Sequence, residues 1–121
     1  PYHPLAQLSG SLSAADLHVV VMGDPFVGLV HPCKIYNILT VAAPVLYIGP
    51  RPSHLSEMLD ALDGRYPCAS APHGGADQVV QIIRQARAQS ASLPRAVPLR
   101  VLSGFSKDSV LPRLIGELEA D

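Results

Sequence analysis

An α/β fold with a short parallel sheet between helical layers is what this sequence predicts, and three observations predict it. Short β-rich runs alternate with longer amphipathic ones. The first such run, "DLHVVVM" at 16–22, is β-branched and apolar on both faces, which marks a strand covered on both sides. Strands alternating with helices join by right-handed crossovers, which place helix above and below a parallel sheet. The expected architecture is Rossmann-like, with three layers in a single domain over residues 1–121.

The elements follow in order. Leucines at 5, 8 and 12 keep a helical spacing that Gly10 weakens. "SAAD" at 13–16 has the form of a capping box, but a strand follows it, so the match is chance. After the strand at 16–22 come a loop and a helix over 32–42. "PVLYIGP" at 44–50 is a second strand bounded by prolines. In the next helix Ser53 is the N-cap and Gly64 the terminal glycine, with Leu55, Met58, Leu59 and Leu62 inward. "RYPCASAP" is a third, weak strand. The helix at 73–90 turns Val79, Val80, Ile82, Ile83 and Ala86 inward. The stretch 93–106 has two prolines, which argue against a regular helix. A final helix over 107–120 carries Val110, Leu111, Leu114, Ile115 and Leu118 on one side, with Pro112 in its first turns. Residues 88–98 are the one linker-like stretch.

Composition narrows the function. The chain has 121 residues, 48% hydrophobic and 16% charged, with a net charge of -1. A chain of this size buries roughly two-thirds of its unfolded surface. The basic residues are scattered, so a nucleic-acid surface is excluded. Cys33 and Cys68 form no CxxC pair, and two buried thiols in a reducing compartment are expected, with a disulfide left open. The apolar run at 17–22 is too short to span a bilayer. The expected compartment is the cytoplasm. The opening "PYHP" lacks a methionine and reads as the edge of a piece of something longer.

The loop "GDPFVGLVHPCKIYNIL" at 23–39 stands beyond the carboxyl end of the first strand, where ligands bind in open α/β sheets. Gly28 permits close approach to backbone. With Pro32 at the first helical position, the cap is His31, a poor one, and first-turn N–H groups are left for an anion. Lys34 opposes the helix dipole there, a cost that a negative ligand offsets. Asn37 shares its face. The plainer alternative is a water-capped helix with a solvated lysine.

At these residues the chain resembles a known family. "LSAADLHVVVM…FVGLVHPCKIYNILTVAAPVLYIGP" is similar to the second lobe of a GT-B glycosyltransferase, of the family 4 kind that builds bacterial cell-surface polysaccharides. That family runs S-A-A-D, a strand, a loop with E-G, V-P-S-K-x-Y, A-x-G-x-P-V and I-G-P. "FSKDSVLPRLIGELE" resembles its closing helix. The resemblance implies the later part of a nucleotide-sugar-binding lobe. Gly28, Leu29, Val30 and His31 would hold the donor's phosphates through backbone N–H groups, with Lys34 beside them and Asn37 near the ribose. Val27 and Asn37 stand where the family carries two glutamates, and Ala43 where it carries a glycine. The donor is a substrate, so no cofactor, metal or covalent nucleophile is implied. The acceptor, a glycan or lipid-linked glycan, would be held by a separate lobe, with the whole protein cytoplasmic or at the membrane periphery. A strand from mid-sheet left at an edge would pair with another copy through residues 17–22.

The five histidines, His3, His18, His31, His54 and His73, have no metal-ligand spacing, and His18 is expected in or beside the sheet. Gly74 and Gly75 read as a turn and Asp77 as favouring a helix start. Two other classes stand beside the transferase. A flavodoxin-like receiver domain needs an acidic pair after the first strand, and Asp24 is alone there. A catalytically silent interaction or regulatory domain needs no such residues.

Overall fold

Three four-residue strands, β1 (His18–Val21), β2 (Val45–Ile48) and β3 (Cys68–Ala71), form a parallel sheet in the order β1-β2-β3. The computed structural model describes residues 4, 7–62, 66–89 and 99–120. Helices α1 (Leu8–Ser13), α2 (Lys34–Thr40), α3 (His54–Asp60), α4 (Ala76–Gln89), α5 (Leu99–Gly104) and α6 (Lys107–Glu119) complete it. His18 pairs with Val45 and Val45 with Cys68, so the strands start level. The fold is the expected α/β, Rossmann-like arrangement. No helix among the described residues is long and apolar enough to cross a membrane.

Side-chain alternation along each strand divides the core between the two faces. Val20, Met22, Val45 and Tyr47 point to the first face and pack with Ile35, Ile38 and Leu39 of α2 and Leu55 and Leu59 of α3. Leu62 and Tyr66 close this cluster, and Met58 packs at its edge, as the leucine spacing predicts. Each fully buried side chain of this kind contributes about 1.5–3 kcal/mol. The Tyr66 hydroxyl donates to the Ala43 carbonyl, and burial raises the pKa of that phenol well above its ordinary value. His18 begins β1 half-buried. Its Nε2 carries the proton, since it meets the Leu12 carbonyl at 2.8 Å and a carbonyl only accepts.

The second face is covered only in part. Leu46 and Ala71 are buried there, and α4 packs against β3. Val79, Ile82 and Ala86 of α4 are half-buried, but Val80 and Ile83, expected inward, are 44% and 45% exposed. One stripe of α4 meets the sheet, and each next residue is turned about 100° away from its predecessor. Over β1 the expectation of a strand covered on both sides fails. Val19 and Val21 are exposed, Val21 by 56%, because α4 sits over β3, at the other edge of the sheet.

Helix starts follow local chemistry where it is strong. Ser53 caps α3 as expected: Ser56 N–H donates to Ser53 Oγ at 3.2 Å, and Ser53 N–H to Ser56 Oγ at 2.9 Å. The helix expected over 32–42 is shorter, Lys34–Thr40, and Cys33, not His31, stands at its N-cap with no side-chain bond to the helix start. Cys33 is exposed and Cys68 half-buried, so the pair of buried thiols is not seen. Pro112 is the sixth residue of α6, inside the helix and past its first turn. A helix, α5, forms just after Pro98 where the prolines argued against one. Leu5, Gly64 and residues 90–98 lie outside the described residues, and residues 88 and 89 belong to α4.

The chain leaves α2 through Ala42 in left-handed backbone, φ 53°. The family's glycine was expected at Ala43, and the position that needs one is the residue before it. Left-handed backbone costs an L-residue about 1–2 kcal/mol, of which glycine's greater unfolded freedom takes back about 0.5–1 kcal/mol. Ala42→Gly is therefore expected to stabilise the fold by about 0.5 kcal/mol, read as a higher urea midpoint. A lower midpoint would refute it.

Candidate functional site

A polar concavity lies at the carboxyl ends of the strands, and topology puts it there. After β2 the chain goes to α3 on the first face, and after β3 it goes to α4 on the second. The two loops part, and between them is a crevice of about 510 Å³ lined by Asp24, Gly49, Pro50, Arg51, Ser70, Ala71, Pro72, His73 and Gln78. Open α/β sheets bind their ligands at such a divergence.

Its floor requires glycine. A Cβ on Gly49 would stand 2.6 Å from Tyr47 Oη and 2.8 Å from the Met22 carbonyl. Tyr47 Oη itself donates to the Pro50 carbonyl at 3.0 Å and meets Ser53 Oγ at 2.9 Å, which ties the loop to the α3 cap. Arg51 forms one wall. Its Nη1 donates to Ser70 Oγ at 2.6 Å and its Nη2 to Asp60 Oδ2 at 2.5 Å. Both partners of that ion pair are largely exposed, so it adds little stability. It does hold the guanidinium in one place. Opposite stands His73, whose Nε2–H donates to the Met22 carbonyl at 2.7 Å, 3.8 Å from Asp24 Oδ1. Gln78 Nε2 donates to the Ser70 carbonyl at 3.0 Å. Gln78, the third residue of the 14-residue α4, lines the same space, after Gly74 at φ 79° turns the chain. A fixed guanidinium, an imidazole and an amide can hold an anionic or polyhydroxy ligand.

The residues expected to bind phosphate form no cradle. Gly28 makes the left-handed turn, φ 78°, but the turn folds the loop back on itself. The N–H groups of Leu29 and Val30 both donate to the Phe26 carbonyl at 3.0 Å, so they are spent. Leu29 is 80% exposed. The mouth of α2 is closed in the same way: Ile35 N–H donates to the Pro32 carbonyl at 3.1 Å and Tyr36 N–H to that of Cys33 at 3.2 Å. Lys34 reaches the sheet instead, with Nζ 2.8 Å from the Val19 carbonyl. Asn37 lies exposed further along α2.

His31 turns away from the rim. Its ring stacks on Tyr36 at 5.1 Å and lies 4.3 Å from that of His54, with Nε2 of both histidines buried and unpartnered. Burial, and then the neighbouring His54, hold the His31 pKa below its ordinary 6.5. The folded state thus favours the neutral ring, while the unfolded chain takes up the proton near 6.5. Stability is present above that pH and lost as pH falls from it toward the lower folded value. His31→Phe should flatten this acid limb in urea midpoints measured across pH; an unchanged slope would assign the titration to another group.

Arg51, Ser70 and Gln78 were missed by sequence reading. The available signal was position alone, since Arg51 and Ser70 lie in or just after the carboxyl ends of β2 and β3 and Gln78 in the first turn of the helix that follows β3. Among the described residues no three His, Cys, Asp or Glu side chains gather as a metal site. The fold and the crevice together define a small parallel α/β unit with a polar cleft at its strand ends. Compared with protein-family models, curated proteins and solved structures, the chain matches none.

Proposed function

We propose that the chain is the donor-binding part of a glycosyltransferase that uses a nucleotide-sugar in surface-polysaccharide synthesis. The motifs that resemble family 4 enzymes support this reading. "SAAD" leads into β1, "KIY" opens α2, and the "IGP" run places Gly49 and Pro50 on the crevice. The observation that carries the reading is the position of Arg51, held by Ser70 and Asp60 over the carboxyl ends of β2 and β3. With the amides of Leu29 and Val30 spent, the donor's diphosphate is assigned to Arg51 and the first turn of α4. Negative charge grows on the diphosphate as the glycosidic bond breaks, and fixed positive groups aimed at it lower the barrier. The acceptor glycan, or lipid-linked glycan, is bound in this reading by a separate lobe, and the protein works in the cytoplasm at the membrane periphery.

Ligand-detected NMR of the chain with UDP- and GDP-sugars at millimolar concentration tests this. Saturation transfer to the donor is expected, with shift changes at Gly49, Arg51, Ser70 and His73. Lys34→Gln is expected to leave affinity within about twofold, since its ammonium is engaged at Val19. No response to any donor would refute the assignment. The second reading, a silent interaction domain, is favoured by the bare apolar faces of β1 and α6.

A further inference from the structure

Among the described residues two apolar surfaces lack a cover, and they match each other. The first is a strip on the second face of the sheet over β1. Val19 and Val21 form its floor. Val80 and Ile83 form its wall, on the flank of α4 away from Gln78, which bonds to β3. α4 lies over β3, two strands or about 10 Å from β1, which is the axis-to-axis spacing of two packed helices, so a helix seated over β1 would lie against α4. Its rims are basic. Arg87 follows Val80 by two turns on the same flank of α4, and the Lys34 ammonium stands at the β1 edge.

The second surface is a helix without a seat. Leu111, Leu114, Ile115 and Leu118 form one stripe of α6, and Leu118 is 72% exposed. Acidic residues flank the stripe on both sides, Asp108 and Glu119 on one and Glu117 on the other. From 111 to 118 the stripe rises about 10 Å, which the four residues of β1, about 13 Å long, accommodate. A molecule's own α6 is kept from its own strip. Phe105, just before α6, packs on Tyr36 at 4.8 Å, and Arg113 lies beside His54 and Met58 on the first face.

We propose that α6 of one copy lies in the strip over β1 of a second copy, and reciprocally, in a closed two-fold dimer. The apolar stripe covers Val19 and Val21, and the acidic flanks of α6 meet Arg87 and Lys34. Reciprocity uses both surfaces of both copies, so assembly ends at two. Contact is through the face of β1, because Lys34 occupies the outward Val19 carbonyl and obstructs strand pairing at the edge.

Sedimentation velocity of the chain from micromolar to millimolar concentration tests the proposal. A monomer–dimer equilibrium is expected. Leu114→Glu and Val21→Glu, both at exposed positions, should each weaken it about a hundredfold by burying an unpaired charge, with far-UV circular dichroism confirming that they fold. Arg87→Glu should weaken it about tenfold. A monomer at every concentration overturns the proposal. So does a dimer that Leu114→Glu breaks and Val21→Glu spares, which would pair α6 with α6. Species larger than a dimer overturn it too, because the contact would then be open-ended.

Discussion

Gly49→Ala is expected to cost about 3 kcal/mol of folding stability. The new methyl would fall 2.6 Å from Tyr47 Oη and 2.8 Å from the Met22 carbonyl, and neither neighbour is free to yield. The Met22 carbonyl is fixed at the end of β1, where Met22 N–H bonds to Ile48 and His73 caps the carbonyl itself. Tyr47 is fully buried, with its hydroxyl committed to Pro50 and Ser53. Relief would require breaking that hydroxyl network, and the buried oxygen left behind adds its own cost of about 1–3 kcal/mol. Urea unfolding of the variant beside Gly10→Ala measures it. Gly10 is helical with open space around it, so that change should be neutral or stabilising. Equal midpoints for the two variants would mean that the crevice floor relaxes more easily than its geometry implies.

Arg51→Ala carries the largest expected functional effect. Hydrogen bonds to a charged group are worth about 1.5–3 kcal/mol, so the dissociation constant for a nucleotide-sugar should rise at least about tenfold. Folding stability should fall by less than about 1 kcal/mol, since the pair with Asp60 is solvent-exposed. Calorimetric titration and urea unfolding of the same variant separate the two effects. An unchanged dissociation constant with an unchanged midpoint would remove Arg51 from the site. Asp60→Asn is the partner test: it leaves the guanidinium in place but unfixed, and should give a smaller loss.

Much of the fold was legible because its local signals are strong. The β-branched run at His18–Val21, the capping serine at Ser53 and the leucines of α3 each state their role within a few residues. The misses share one cause, which is that burial depends on neighbours the local pattern does not name. Val80 and Ile83 lie on a helix that is apolar on two adjacent stripes, and only the position of α4 over β3 shows which stripe is used. Val19 and Val21 look like interior strand residues, and only the strand order shows them at an edge. The hydrogen bonding of the loop after β1 was hidden for a related reason. Gly28 was read as a place where a ligand approaches the backbone, but it makes a left-handed turn that spends the amides of Leu29 and Val30 on Phe26. Arg51 gave no local signal, because its value comes from Ser70, nineteen residues on, and from Asp60, nine residues on.

The ammonium of Lys34 on the Val19 carbonyl has a consequence for the molecule's life before and between encounters with other chains. A short valine-rich segment with few charges nearby is the kind of sequence that seeds fibrils when its backbone is open. One lysine, delivered from a neighbouring helix, takes up an acceptor that a growing stack would need, and so works as a gatekeeper. Neutralising it by acetylation would leave the three-stranded core intact and expose the protein to templated misassembly.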